Sequence, residues 1–265
     1  MVIPVLNQLE TTAATWELLR RNSTAPFQLV VVDNGSTDDI PSYLERQVRP
    51  AVAELRVLRN AENVGVVAAL RQGCAAADGE IVACLHNDLH IYERGWDQRV
   101  LDLFARLPFL GMAGFHGSRG TSNGGSRVEP CSNLVNAENH GARLQRAYLP
   151  VVLLDGCCLI FRRECLERTG GFDPHFRYHH FYDCDASLAS LAAGYRNAVV
   201  GVSCYHPGGT TSCSPAYRRW IDERLGGEEG DRAEFDRNFA YLQEKWSWFM
   251  PVYAEEDFTL RHELP

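Results

Sequence analysis

Apolar residues in the first half of the chain follow two alternating rhythms. Residues 29–32 (Leu-Val-Val-Val) form a continuous apolar run that ends in Asp-Asn-Gly, the sign of a strand buried on both faces and followed by a sharp turn. Residues 55–58 and 80–85 read as two more strands. Between these runs, residues 9–21 and 64–77 carry apolar side chains at helical spacing, with Val67, Leu70, Cys74 and Ala77 forming one stripe. Strand alternating with helix predicts βαβ units and a parallel sheet with helices on both faces. Such sheets bind ligands at the carboxyl ends of their strands, at the switch point. That directs attention to three loops, 4–7, 33–39 and 86–90.

The second half is less regular. Residues 111–125 hold many glycines among Ser, Thr and Asn, which predicts a mobile surface loop able to close over a ligand. Residues 153–161 read as a buried strand, 163–169 as a short helix, 183–193 as an amphipathic helix and 197–202 as a further strand. Beyond residue 217, charged helical segments carry Trp220, Phe235, Phe239, Leu242 and Trp246, spaced so that one face can pack on the main body. No repeat and no break in composition marks an independent second domain.

Composition narrows the function. A chain of 265 residues with 45% apolar and 23% charged residues is an ordinary globular sequence, long enough for a sizeable core. Its net charge of −8 disfavours a nucleic-acid-binding face, which needs clustered Lys and Arg, while leaving room for a local basic pocket. The nine cysteines lie mostly inside apolar runs and contain no C-x-x-C pair, so they read as reduced core residues rather than a zinc or redox motif. No run approaches the roughly 18 apolar residues of a membrane span, and residues 1–4 do not begin a signal peptide. The expectation is a cytoplasmic protein, with peripheral membrane contact left open.

Four segments can carry chemistry. Asp33-Asn34-Gly35-Ser36-Thr37-Asp38 follows an apolar strand. A carboxylate there can accept a hydrogen bond from an imide or a ribose hydroxyl, although a turn with a helix cap is the plainer reading of this motif alone. His86-Asn87-Asp88-Leu89-His90 emerges on the same sheet edge. A strand-end carboxylate beside other donors suits a divalent cation, Mn²⁺ or Mg²⁺, that bridges a diphosphate; the alternative is a solvent-facing turn. His206, in Tyr205-His206-Pro207-Gly208-Gly209-Thr210-Thr211-Ser212, can complete such a site, while His90, His116, His140, His175, His179, His180 and His262 read as structural. In Tyr182-Asp183-Cys184-Asp185 the carboxylates open a helix, where they cap it or supply a general base. Two positions apart on a helix they point differently, so one is expected to be catalytic and the other structural.

Together these segments resemble the family 2 glycosyltransferases of the GT-A fold, over about residues 2–212. Val2-Ile3-Pro4-Val5-Leu6-Asn7 looks like the family's first strand and donor-binding turn, and Val30-Val31-Val32-Asp33-Asn34-Gly35-Ser36-Thr37-Asp38 like its nucleoside-binding strand. Glu62-Asn63-Val64-Gly65, Gly73 and Ala77-Asp78-Gly79-Glu80-Ile81-Val82 match the helix and strand leading to the metal-binding Asp-x-Asp position. Asp155-Gly156-Cys157-Cys158-Leu159-Ile160-Phe161-Arg162-Arg163 and Gly170-Gly171-Phe172-Asp173 resemble its acceptor-side strand and turn. Tyr182-Asp183-Cys184-Asp185 falls where the family has Glu-Asp-x-Asp. Two positions depart: His86 stands for the first acid of Asp-x-Asp, leaving Asp88 as its carboxylate, and Tyr182 replaces the Glu before the base.

The resemblance implies an α/β, GT-A type chain: a mostly parallel central sheet flanked by helices, with a smaller acceptor-side part. Residues 1–212 would be the glycosyltransferase domain and 213–265 a helical extension packed on it. It implies transfer of a sugar, with inversion, from a UDP-, GDP- or dTDP-sugar to a glycan, lipid-linked or small-molecule acceptor. Pro4, Leu6, Asn7, Asp33, Asn63, Arg71, Asn87 and Asp88 would bind the donor. Asp88 and His206 would hold the cation, Asp183 would be the base, and Gly156, Tyr182 and Asp185 would lie on the acceptor side. The C-terminal segment leaves room for a membrane contact or a homodimer. A nucleotidyltransferase is the nearest rival, but it calls for Gly, Arg and Lys after the first strand, where Asn7-Gln8-Leu9-Glu10 stands. A silent nucleotide-sugar-binding module is the rival of another class.

Overall fold

The structure is a computed structural model that describes residues 1–133, 142–210 and 213–265. The chain runs β1 (Val2–Val5), α1 (Leu9–Asn22), β2 (Gln28–Asp33), α2 (Ile40–Tyr43), β3 (Glu54–Arg59), α3 (Val66–Ala76), β4 (Ile81–Leu85), β5 (His90–Ile91) and α4 (Trp96–Arg106). It continues through β6 (Leu110–Gly114), β7 (His116–Thr121), β8 (Arg127–Ser132), β9 (Ala142–Arg143), β10 (Tyr148–Val151), β11 (Leu153–Leu154) and β12 (Cys158–Arg162). Then come α5 (Arg163–Thr169), α6 (Tyr182–Ala192), β13 (Arg196–Val200), β14 (Cys204–Tyr205), α7 (Pro215–Leu225), α8 (Glu228–Trp246), β15 (Val252–Ala254) and β16 (Leu260–Arg261).

Eight strands form the central sheet in the order β10-β13-β6-β12-β4-β1-β2-β3. β1, β2, β3 and β4 are mutually parallel, as the alternating pattern predicts, whereas β12 runs antiparallel between β4 and β6. Alternate residues feed two core layers: Val2, Val30, Val82 and Cys84 point to one, Ile3, Val31, Ala83 and Leu85 to the other. That two-sided burial explains the unbroken apolar run of β2, because no face of the strand meets water. The register Val5↔Asp33 ends β1 and β2 together, so the chain leaves both strands at one edge.

Helix α3 buries its expected stripe, Val67, Leu70 and Cys74, with Ala77 just beyond its end. It can press this close to the sheet because position 73 is glycine; a Cβ there would collide with Val2 Cγ1.

The glycine-rich stretch 111–125 is not the surface loop that its composition predicts. Most of it forms β6 and β7, and β6 lies inside the central sheet. Its glycines answer to crowding. A Cβ at Gly111 would stand 2.6 Å from Tyr195 Cβ and 2.8 Å from Cys165 Sγ, and one at Gly114 would stand 2.6 Å from the Cys158 carbonyl oxygen. Only the tip between β7 and β8 is a turn, with Gly125 at φ 78°.

The segment after residue 212 contains strands as well as helices. β15 pairs with β7 and extends a second sheet, β16-β15-β7-β8-β9. On α8, Leu242 and Trp246 enter the same core layer as Phe161 and Leu188. Asp185 anchors this helix: its carboxylate accepts from Trp246 Nε1 and pairs with Lys245 Nζ, both at 2.8 Å. Asp185, expected on the acceptor side, is 1% exposed and turned toward α8.

All nine cysteines are free thiols, and only Cys213 is exposed. Burial pushes the thiols of Cys131 and Cys165 up, to about 12 and about 11. Among the described residues no helix is long and apolar enough to cross a membrane. Replacing Asp185 by Ala leaves the buried Trp246 N–H without its acceptor, while Lys245 keeps Asp173 at 2.7 Å. Urea denaturation is expected to show a loss of about 1–3 kcal/mol.

Candidate active site

A cleft of about 310 Å³ opens where β1, β2 and β4 end. Pro4 and Leu6 form one wall, Asn34 and Asn63 a second, and His86, Asn87 and Asp88 line it after β4. Tyr182, His179 and His180 close it from the turn before α6, and Tyr217 from α7. The loops on the first walls are cross-braced. Asn34 Nδ2 donates to Asn63 Oδ1 at 2.7 Å, the Gly65 N–H donates to the same oxygen at 2.9 Å, and Asn87 Nδ2 donates to Thr12 Oγ1 at 3.0 Å.

The most charged part of the cleft is assembled by a short ribbon. β14 pairs antiparallel with β5, Tyr205 opposite His90, which carries His206 over Asp88. His206 Nε2 lies 3.1 Å from Asp88 Oδ1. The His86 ring joins them, its Nδ1 3.3 Å from His206 Nε2 and its Nε2 3.2 Å from Tyr182 Oη. One ligand atom from each of His86, Asp88 and His206 lies within 4.8 Å of the others. Two imidazoles and a carboxylate are a donor set for a divalent cation. The residues present therefore fit such an ion, and His86, which departs from the family pattern, is one of them.

Electrostatics hold this group together. Burial alone would raise the Asp88 carboxyl, but the hydrogen bond and charge of His206, with His86 and Thr210, outweigh it and hold the pKa at about 2. Burial likewise works against a charged His206, and Asp88 reverses it, so the imidazole titrates above its ordinary value. His86 moves the other way, lowered by burial and then by His206. At neutral pH it is an uncharged ring.

Asp183 follows Tyr182 at the start of α6 and stands behind the residues that line the cleft. Its carboxylate accepts from the N–H of Gly156 at 3.1 Å, the N–H of Cys184 at 2.9 Å and Arg127 at 3.2 Å. Arg127 Nη2 also lies 3.7 Å from Asp155 Oδ2. One guanidinium thus serves two carboxylates. Burial, together with the charge of Asp155, raises Asp183 against the pull of Arg127. For Asp155, Arg127, His116 and the Cys157 N–H outweigh burial and hold the carboxyl well down.

Of the residues singled out from sequence, Pro4, Leu6, Asn63, Asn87, Asp88 and Tyr182 line the cleft, and His206 meets Asp88 there. Asn7 and Asp33 stand behind the lining. Asn7 Oδ1 accepts from the Thr37 N–H at 2.8 Å, and Asp33 Oδ1 accepts from the Ser36 N–H at 2.8 Å, so both shape the loop. Arg71 is not brought to the cleft; its guanidinium donates to the Phe172 carbonyl between α3 and the turn after α5. Thr211 and Ser212 of the His206 loop, and His140, lie outside the described residues. Sequence pattern does not single out Arg127 or Tyr217, and it reads His179 and His180 as structural. The pair His179-His180 next to Tyr182 was the visible signal, set aside because a histidine is more often structural.

The glycosyl transferase family 2 model matches residues 1–170, and the chain belongs to that family. Its fold is that of the GT-A glycosyltransferases. It is similar to GalNAc-T7, solved with UDP, GalNAc and Mn²⁺ (TM-score 0.61, 13% identity, 92% of this chain and 55% of that one). It is also similar to the mannosyltransferase PcManGT of Pyrobaculum calidifontis, solved with GDP-Man and Mn²⁺ (TM-score 0.55, 19% identity, 94% of this chain and 69% of that one). An uncharacterized protein of Sinorhizobium fredii, y4gI, is 27% identical over 261 residues, 93% of this chain. The chain spans 27% of the length of the curated relatives it matches.

A Cβ on Gly156 would collide with Tyr182 Oη and press the ring off His86. Gly156→Ala is expected to cost about 1–3 kcal/mol in urea denaturation. Adding Tyr182→Phe to that variant, which removes the hydroxyl, recovers part of the loss.

Proposed function

We propose that this chain transfers a glycosyl group from a nucleoside diphosphate sugar to an acceptor hydroxyl in a single inverting displacement. The observation that carries the reading is the convergence of His86, Asp88 and His206 at the mouth of a cleft on the carboxyl edge of the sheet. Pro4, Leu6, Asn34 and Asn63 take the nucleoside, with Asn7 and Asp33 fixing the loops behind it. His86, Asp88 and His206 would hold a divalent cation beside the diphosphate. When bound, such an ion neutralises negative charge gathering on the leaving nucleoside diphosphate. The Mn²⁺ and nucleotides in the GalNAc-T7 and PcManGT structures support this assignment.

Asp183 is the proposed base. Its three hydrogen bonds occupy part of the capacity of two carboxylate oxygens, which leaves room to accept the acceptor's proton. Gly156 and Tyr182 flank it on the acceptor side. Residues 1–212 are read as the transferase body and 213–265 as an extension that completes the cleft, since Trp220 Nε1 donates to the Asn63 carbonyl at 3.0 Å and Tyr217 lines the wall.

The test is incubation with UDP-, GDP- and dTDP-sugars and Mn²⁺ or Mg²⁺ over a set of glycan and lipid-linked acceptors. Free nucleoside diphosphate appearing with a glycoside is the expected result; pyrophosphate release, or binding without turnover, defeats it. With an active pair in hand, Asp183→Asn is expected to lower kcat roughly 10²–10⁴-fold with little change in donor KM.

The pH profile gives a separate check. A base works only when deprotonated, so kcat/KM falls as pH drops through the Asp183 pKa, which burial places above the ordinary carboxylate value. Arg127 pulls that pKa down, so Arg127→Gln is expected to move the acid limb to higher pH. An unmoved limb would assign it to another group.

A further inference from the structure

A second convergence of ligating atoms lies on another wall of the cleft. His179 and His180 occupy the turn before α6, and Asp231 stands in the first turn of α8. His179 Nε2 lies 2.8 Å from Asp231 Oδ1, and His180 Nε2 lies 3.4 Å from the same oxygen. One ligand atom from each residue is within 4.8 Å of the others. With metal–ligand bonds of roughly 2.0–2.2 Å, the ligands of a tetrahedral site stand about 3.4 Å apart. The three atoms are thus near ligating positions already.

Three further observations point the same way. His180 Nε2 is buried and has no hydrogen-bond partner among the described residues, so the turn keeps a costly bare nitrogen beside a carboxylate. His179 Nδ1 is 3.2 Å from Tyr217 Oη. A hydroxyl there can accept the ring proton at Nδ1 and leave Nε2 as the ligand, the outer-shell contact typical of metal-bound histidine. The turn is also held in an unusual conformation: His180 and Phe181 have φ of 66° and 65°, which bulky residues rarely adopt. Buried Asn238 of α8 helps to fix it, donating to the His179 carbonyl at 3.1 Å.

We propose that His179, His180 and Asp231 form a second metal site, distinct from His86, Asp88 and His206, for Zn²⁺ or a chemically similar first-row cation, which clamps the cleft-wall turn to α8. Two imidazoles and one carboxylate favour such ions over Mg²⁺ or Ca²⁺, which prefer oxygen. On binding, the Nε2 proton that His179 shares with Asp231 is exchanged for the ion, and Nδ1 takes a proton facing Tyr217. The site owes nothing to the glycosyl-transfer reading, because it faces its ligand with its own residues.

The experiment uses the full chain, stripped with chelator and titrated with Zn²⁺ by calorimetry and with Co²⁺ by its visible absorption. The His206→Ala variant, with the first cluster disabled, is expected to bind one equivalent of Zn²⁺, to show a four-coordinate Co²⁺ spectrum and to gain thermal stability with Zn²⁺. Adding His180→Ala is expected to abolish all three. His180 gives up only its 3.4 Å contact with Asp231 when replaced, and an unchanged melting temperature without metal verifies that variant's fold; Asp231→Asn is the second probe. The proposal is overturned if His206→Ala binds no Zn²⁺, or if His180→Ala and Asp231→Asn leave its stoichiometry unchanged. A His206→Ala chain that binds no Zn²⁺ removes the second site and leaves the proposed function of the first cluster standing.

Discussion

Everything in the charged end of the cleft depends on two strands of two residues each. The pairing of Cys204–Tyr205 with His90–Ile91 joins segments whose histidines, His86 and His206, are 120 positions apart. Without it Asp88, 4% exposed, would be a buried carboxylate lacking its partner, a costly arrangement. The ribbon is therefore stabilised partly by the contact it creates. His206 lowers the Asp88 carboxyl, and Asp88 raises the His206 imidazole above its ordinary value. A ligating histidine must be neutral, so a cation entering here would compete with a proton for the imidazole.

Behind the cleft lining, around Asp183, a different principle holds, one cation shared by two acids. Arg127 reaches both Asp155 and Asp183 from β8, a strand of the second sheet. The two carboxyls move in opposite directions: burial and the charge of Asp155 raise Asp183, while Arg127, His116 and the Cys157 N–H hold Asp155 down. Environments that push paired acids apart in this way are how one fold assigns separate roles to chemically identical groups.

Much of the fold was legible in local pattern. The run before Asp33 and the stripe of α3 read directly, because burial on two faces or on one leaves a periodic trace. Two things did not read. The glycines of β6 and β7 were mistaken for flexibility, since composition does not separate a residue kept small by crowding from one kept small for freedom. For the site, Asp88 and His206 were visible at strand ends, but Asp185 and Arg71 were drawn elsewhere by partners distant in sequence, Lys245 and Trp246 for one and the Phe172 carbonyl for the other. His86 looked like a departure until its ring was placed against His206. Pairings across such separations leave no local mark, so the role of a polar residue is set by a neighbour that spacing does not name.

The seclusion of the thiols has a practical consequence. Eight cysteines are enclosed and one, Cys213, is exposed, its N–H bound to the Gly209 carbonyl at 2.8 Å. Gly209 itself lines the cleft. The native chain thus offers a single attachment point for a maleimide fluorophore beside a residue that lines the cleft, so a ligand entering it can be followed optically without engineering the remaining sulfurs away.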